Sequence, residues 1–231
     1  MKEEFRDITV IGFDADDTLW VNETFFREAE DLFCKLLSNY ETENKIRQEL
    51  LSIELRNLEI YGYGIKGFIL SLIETAGVLS NDQLSSKVYQ QILEIGKDML
   101  NKPVELIEGV EETLSYVSEK YRILLLTKGD LLDQERKLKK SGLSKYFHHV
   151  EVLSNKYPNN YKDLLDHLKI NPREFLMIGN SLKSDVLPIL EIGAKAVHIP
   201  FHITWEHEVV NEPVDKDYLT LKDIREFKNL L

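Results

Sequence analysis

Apolar and polar positions along this chain fall into two regimes. Residues 8–13 form a short, β-branched run of the kind buried on both faces of a sheet. From residue 22 to about 101 the pattern changes to helical spacing, with Phe25, Phe26, Ala29, Leu32, Phe33, Leu36 and Leu37 on one stripe. Further helices are predicted over 43–58, 65–76 and 81–101. Turn residues separate them at Tyr61-Gly62-Tyr63-Gly64, at Gly77 and at Asn101-Lys102-Pro103. From Pro103 onward, strand and helix alternate: helices over 109–120, 131–140, 160–168, 184–192 and 221–230, strands over 121–127, 149–153, 175–179 and 195–200. Such alternation predicts a parallel sheet with helices on both faces. The expected fold is therefore α/β, a Rossmann-like parallel sheet core plus an all-α cap. The core is expected to comprise 1–20 and 103–231, and the cap 21–102.

Composition narrows the setting. The chain has 231 residues, 43% hydrophobic and 30% charged, the balance of a globular protein with a full core. Cys34 is the only cysteine, so no internal disulfide forms and a reducing, cytoplasmic setting is the simple expectation. The charged residues 1–7 carry no signal-peptide core, and no apolar run approaches the roughly 18–20 residues of a membrane span. A net charge of -11, spread along the chain, argues against a nucleic-acid or anionic-membrane partner. Oligomeric state is not legible.

The chemistry begins where the first strand stops. Phe13 is followed by Asp14-Ala15-Asp16-Asp17-Thr18. Two carboxylates two residues apart at the end of a buried strand suit a hard divalent cation such as Mg²⁺. A carboxylate that also attacked phosphorus would form an aspartyl-phosphate. Polar residues follow each later strand in turn: Thr127 and Lys128, then Lys156, then Asn180 and Asp185. Ligands of open α/β sheets bind beyond the carboxyl ends of the strands, where all of these fall.

The order Asp-x-Asp-x-Thr, strand-Thr-Lys-Gly, Lys, Gly-Asn-Ser-x-x-Ser-Asp resembles the four motifs of the haloacid dehalogenase superfamily, from Ile8 to about Pro200. The resemblance implies a Mg²⁺-dependent phosphatase acting on a small phosphorylated metabolite. It implies Asp14 as nucleophile, Asp16 as general acid/base, Thr127 as a hydrogen-bond donor to the phosphoryl group and Lys156 as its neutralising cation. Thr18, Lys128 and Gly129 join the substrate-binding set. Asp185 would hold Mg²⁺ with the Asp14 side chain and the Asp16 backbone carbonyl. Asn180 stands where many members have Asp, and would work on the metal through water or orient Asp185. Lys162 is an alternative to Lys156, but it should lie inside a helix. The helical insertion sits where many members carry a mobile cap, and Tyr61 and Tyr63 are its candidates for substrate contact.

Other readings remain open at this stage. A phosphotransferase or mutase would pass the phosphoryl group to another hydroxyl. A dehalogenase needs neither Mg²⁺ nor an acid at Asp16. A receiver-like, phosphorylation-controlled binding module also uses Asp, Thr and Lys, but in a different order. Gly62 to Gly67 matches G-x-G-x-x-G, but a helix precedes it rather than a strand, so a turn is expected. Asp17 is expected to be solvated or to cap a turn. His198, His202 and His207 cluster near the end with Glu206 and Glu208, lack a zinc spacing and are expected in loop and surface roles. Trp205 is expected near the rim of the site, and Cys34 buried in the cap.

Overall fold

A computed structural model describes residues 5–210 and 217–231. The charged start of the chain, residues 1–4, lies outside them.

Six strands form one parallel sheet in the order β3-β2-β1-β4-β5-β6: β1 (Val10–Phe13), β2 (Arg122–Lys128), β3 (His149–Leu153), β4 (Phe175–Gly179), β5 (Lys195–His198) and β6 (Leu219–Thr220). The sheet has the Rossmann-like α/β architecture read from the alternation. β1 lies in the interior, with Ile11 opposite Ile123 on β2 and Leu176 on β4. The chain winds outward from β1 first to β2 and β3, then to β4, β5 and β6. The reversal places a topological switch point at β1, where sheets of this kind bind ligands.

Alternation along the strands builds two cores. Ile11, Phe13, Ile123, Leu125, Leu176, Ile178 and Val197 face one side, packed with Val110, Leu114 and Val117 of α5 (Val110–Ser118) and with Phe227. Val10, Leu124, Leu126, Phe175, Met177 and Ala196 face the other, against Tyr161, Leu164 and Leu165 of α7 (Pro158–Leu168) and Ile189 of α8 (Leu187–Glu191). Side chains on a strand point alternately to its two faces, so near-continuous apolar runs supply both layers at once.

The chain divides into two compact units. The first holds 1–23, 104–128 and 135–231; the second holds 24–103 and 129–134. The second is built on α1 (Glu23–Leu37), α2 (Glu43–Tyr61), α3 (Ile65–Ser80) and α4 (Ser86–Asn101). Phe33, Leu37, Ile46, Leu50, Phe68, Leu72, Ile92 and Met99 form its core, and the buried Cys34 lies among them. The segment 129–134, which opens α6 (Leu131–Ser141), groups with these helices rather than with the sheet. Within that unit Lys66 Nζ stands 3.0 Å from Asp130 Oδ2.

Two expected elements take other forms. The last helix, expected over 221–230, is a 3₁₀ turn over Ile224–Asn229, preceded by the short β6. The helix expected from Ser184 opens as a π-turn, Leu182–Val186, with regular helix only from Leu187. Pro188 supplies no N–H, so regular helical bonding cannot run back through the turn at that residue. Among the described residues no helix is long and apolar enough to cross a membrane.

Candidate active site

β1 delivers Asp14 to the carboxyl edge of the sheet, where it is almost fully buried. Its two oxygens meet different company. Oδ1 accepts from the Lys156 ammonium at 2.5 Å, and Oδ2 from the Thr18 hydroxyl at 2.9 Å. Lys156, just beyond β3, is buried and also donates to Asp185 Oδ1 at 2.7 Å. Lys162 lies on α7 and is exposed, so Lys156 alone of the two meets these acids. Asp185 belongs to the π-turn after β4, and its Oδ2 accepts from the Ser181 N–H at 3.0 Å. Gly179 makes room for it: a Cβ there would lie 2.3 Å from the Asp185 carboxyl carbon.

One ammonium faces two buried carboxylates, and the balance shows. Burial, then repulsion from Asp185, pushes Asp14 up to about 7 against the pull of Lys156. Burial pulls Lys156 down, but Asp14 and Asp185 outweigh it and hold its ammonium well above the ordinary value.

A second cluster of donors adjoins Asp14 Oδ2. The tip of the Asn180 amide stands 3.3 Å from that oxygen and 3.2 Å from the Asp16 carbonyl oxygen. Turned with its NH₂ inward, Asn180 donates to both; turned with its oxygen inward, it completes a cluster of three oxygens. Octahedral Mg²⁺ with bonds of 2.0–2.1 Å sets neighbouring ligand oxygens about 3 Å apart. The spacing and the surplus of buried negative charge both fit a small hard cation. Among the described residues no three His, Cys, Asp or Glu side chains converge as a metal cluster. The donors here are instead carboxylates, a backbone carbonyl and an amide.

Asp16 is held from two sides. Trp20 Nε1 donates to its Oδ1 at 2.6 Å, and the Lys137 ammonium donates to the same oxygen at 2.6 Å. Lys137 also reaches Asn22 Oδ1 at 3.2 Å. Asp17, expected to be solvated or capping, is buried and caps: its carboxylate accepts from the N–H groups of Asn22 and Glu23. Burial pushes it up to about 7, and those backbone donors pull the other way. Such a cap satisfies amides that a helix start leaves without intrahelical partners.

Thr127 ends β2 and is buried. The Lys128 ammonium pairs with Glu208 and donates to Ser184 Oγ at 2.9 Å. Gly129 has φ 142°, a conformation that strains any other residue, and packs against Gln134. Tyr61 is exposed at the end of α2, and Tyr63 lies in the following turn of the helical unit. His198 departs from its expected surface role: it is buried at the end of β5, 3.0 Å from the Asn180 carbonyl oxygen. Trp205 packs on the His207 ring at 4.9 Å between centroids, next to Glu208.

Sequence reasoning did not reach Lys137, and it gave Glu208 only a loop and surface role, whereas its side chain is largely buried and paired with Lys128. Lys137 hides in the charge-rich stretch Asp133-Gln134-Glu135-Arg136-Lys137, which carries no apolar marker; in the fold the buried Asp133 and Gln134 share its helix face. Glu208 lies on an irregular connection with no periodicity to reveal its direction.

Comparison with known proteins agrees with this layout. Residues 8–193 match the haloacid dehalogenase-like hydrolase family. A haloacid dehalogenase-like family hydrolase from Xanthomonas campestris is 39% identical, with a TM-score of 0.88 over 96% of this chain and 90% of that one. N-acylneuraminate-9-phosphatase of Rattus norvegicus is 27% identical over 128 residues, 53% of this chain and 50% of its own. Glyceraldehyde 3-phosphate phosphatase of Pyrococcus furiosus is 28% identical over 97 residues, 39% of this chain and 40% of its own. The chain thus spans half or less of the length of these curated relatives. The strand-end acids, the buried lysine between them and the family match covering most of the chain lead to one conclusion: this chain belongs to the haloacid dehalogenase-like hydrolases.

Proposed function

We propose that this chain hydrolyses small phosphomonoesters through a phosphorylated Asp14, with Mg²⁺ as its cation. The observation that carries the reading is the pairing of Asp14 and Asp185 through Lys156, with Thr18 and Asn180 against the other Asp14 oxygen. The phosphatase names of two relatives support the same reaction class.

Asp14, Asp185, the Asp16 carbonyl and Asn180 would hold the cation. When bound, Mg²⁺ supplies positive charge that lets a carboxylate and a phosphate approach each other. Asp14 Oδ2 faces the Asn180 and Asp16 donors, which leaves Oδ1, beside Lys156, as the attacking atom. Its lone pair forms the new P–O bond while the bond from phosphorus to the ester oxygen breaks. Asp16 gives its proton to the departing alkoxide, so the first product leaves as an alcohol. Asp16, now ionised, takes a proton from water as that water's oxygen attacks phosphorus. The bond from Asp14 to phosphorus breaks, and inorganic phosphate and free Asp14 result. The Thr127 hydroxyl, the Lys128 N–H and Lys156 hold the phosphoryl oxygens while charge redistributes, and positioned donors of this kind carry most of the catalysis in phosphoryl transfer.

Asp14, Asp16, Thr127, Lys128 and Lys156 belong to the sheet unit, whereas Gly129 groups with the helices. Discrimination among leaving groups is assigned to the helical unit as a cap, with Tyr61 and Tyr63 as its candidate contacts. The test is phosphate release from an aryl phosphate after metal stripping, with Mg²⁺, with Ca²⁺ and with chelator. The reading expects activity with Mg²⁺ only, since Ca²⁺ takes longer and more numerous oxygen bonds and would engage both oxygens of Asp14. Full activity in chelator overturns it.

A further inference from the structure

The connection after β5 carries a short 3₁₀ turn, Glu206–Glu208, to which the strand-end motifs assign no role. It is fastened to the turn that carries Asp185 at several points. The Lys183 ammonium donates to the His207 carbonyl at 2.7 Å. One oxygen of Glu208 accepts from the hydroxyls of Ser181 at 2.5 Å and Ser184 at 2.7 Å. Its other oxygen pairs with the Lys128 ammonium, and Lys128 also donates to Ser184 Oγ.

These bonds matter because of what the two serines do next. Ser181 Oγ accepts from the Ser184 N–H at 3.1 Å, which closes the turn. The Ser181 N–H holds Asp185 Oδ2 at 3.0 Å, while the other Asp185 oxygen faces Lys156. Each serine hydroxyl has one proton to give, and Glu208 takes both. That fixes the rotamers of Ser181 and Ser184 and, through them, the path of the backbone that aims Asp185. On the opposite side Tyr161 donates to the Ser184 carbonyl at 2.9 Å, so the turn is gripped from two elements. Lys128 and the two hydroxyls hold Glu208 at about 2, well below the ordinary range, despite its burial.

We propose that Glu208 is a positioning residue that sets the direction of the Asp185 carboxylate through Ser181 and Ser184 and ties the end of β2 to the same turn through Lys128. The proposal rests on the cation reading given above. Groups that orient a metal-ligating carboxylate typically change metal affinity or activity by about 10–100-fold when removed.

The experiment measures binding of Mn²⁺, as a stand-in for Mg²⁺, by counting free Mn²⁺ with electron paramagnetic resonance. It uses full-length protein without substrate, far below its melting temperature. Glu208→Gln is expected to weaken Mn²⁺ binding about 10–100-fold. Glu206→Gln removes an equal charge from a neighbouring exposed residue and is expected to leave binding unchanged. Should Glu208→Gln fail to fold by circular dichroism, Ser181→Ala cuts one arm of the clip and is expected to weaken binding about threefold to tenfold. Wild-type-like binding by the folded variant, or equal weakening by Glu206→Gln, overturns the proposal alone. Absence of Mn²⁺ binding by the wild-type chain overturns the cation reading and this proposal with it.

Discussion

The Lys137 ammonium stands 2.6 Å from Asp16 Oδ1, so the proposed acid/base is held by a cation as well as by the indole of Trp20. The two donors share one carboxylate oxygen and fix the direction of the other. Asp16→Asn should slow turnover by about 10²–10⁴-fold, the range for loss of a positioned acid or base. Alkyl phosphates should suffer more than aryl phosphates, because a poor leaving group needs the proton. Lys137→Met leaves the carboxyl in place but loosely aimed, and should cost about 5–30-fold with the same bias toward alkyl substrates. Equal losses on both substrate types would show that Asp16 does not protonate the leaving group.

Asp14→Asn should abolish phosphate release and phosphoenzyme formation without unfolding the protein. The amide keeps the shape of the carboxyl and relieves the crowding of negative charge with Asp185. Phosphate release with acid-quench trapping checks the first outcome and circular dichroism the second. Turnover near the wild-type rate would remove Asp14 from the role of nucleophile.

Glu54 gives the helical unit a pH dependence of its own. Burial, with repulsion from Glu30, raises it from 4.5 to about 8, against attraction from Arg27. Unfolded, the same carboxyl ionises near 4.5, so between about 4.5 and 8 the unfolded chain gives up a proton that the folded chain keeps. Its contribution to stability is complete below 4.5 and is lost as pH rises through about 8. Glu54→Gln should therefore stabilise the protein at pH 8, by about 1–3 kcal/mol after allowance for solvent screening, and have little effect at pH 4.5. Denaturant titrations at the two pH values check this; an equal effect at both would contradict it.

Tyr61→Ala and Tyr63→Ala test the assignment of selectivity to the helical unit. The expected outcome is an unequal change in kcat/KM across a panel of phosphorylated metabolites, with a small aryl phosphate much less affected. A uniform change, or none, would show that this turn does not read the leaving group.

Five of the six strands were legible because each is a short apolar run stopped by polar residues, and the two-residue β6 was not. β3 and β4 span the expected residues, and β1, β2 and β5 shift by one or two at an end. The order of polar residues after those strands led to Asp14, Thr18, Lys156, Asn180 and Asp185, which the fold gathers into direct contact. What stayed hidden lies in irregular backbone or depends on tertiary burial. The π-turn Leu182–Val186 stands where a helix was expected from Ser184. Asp17 caps, one of its two expected roles, but its burial was not legible in a row of three acids. Glu208 acquires its direction only when the connection after β5 folds back, and no local pattern encodes that return.

The close fit of Gly179 against Asp185 links two positions six residues apart as a single unit of inheritance. A side chain at 179 and a carboxylate at 185 cannot occupy that space together, so position 179 cannot change while the acid remains. A lineage that lost the acid would be released from the glycine. One that gained any larger residue at 179 would have to abandon the acid or re-route the turn. Among relatives, a larger residue at the position of Gly179 should therefore mark chains that have given up this acid, and with it the hydrolytic chemistry proposed for this one.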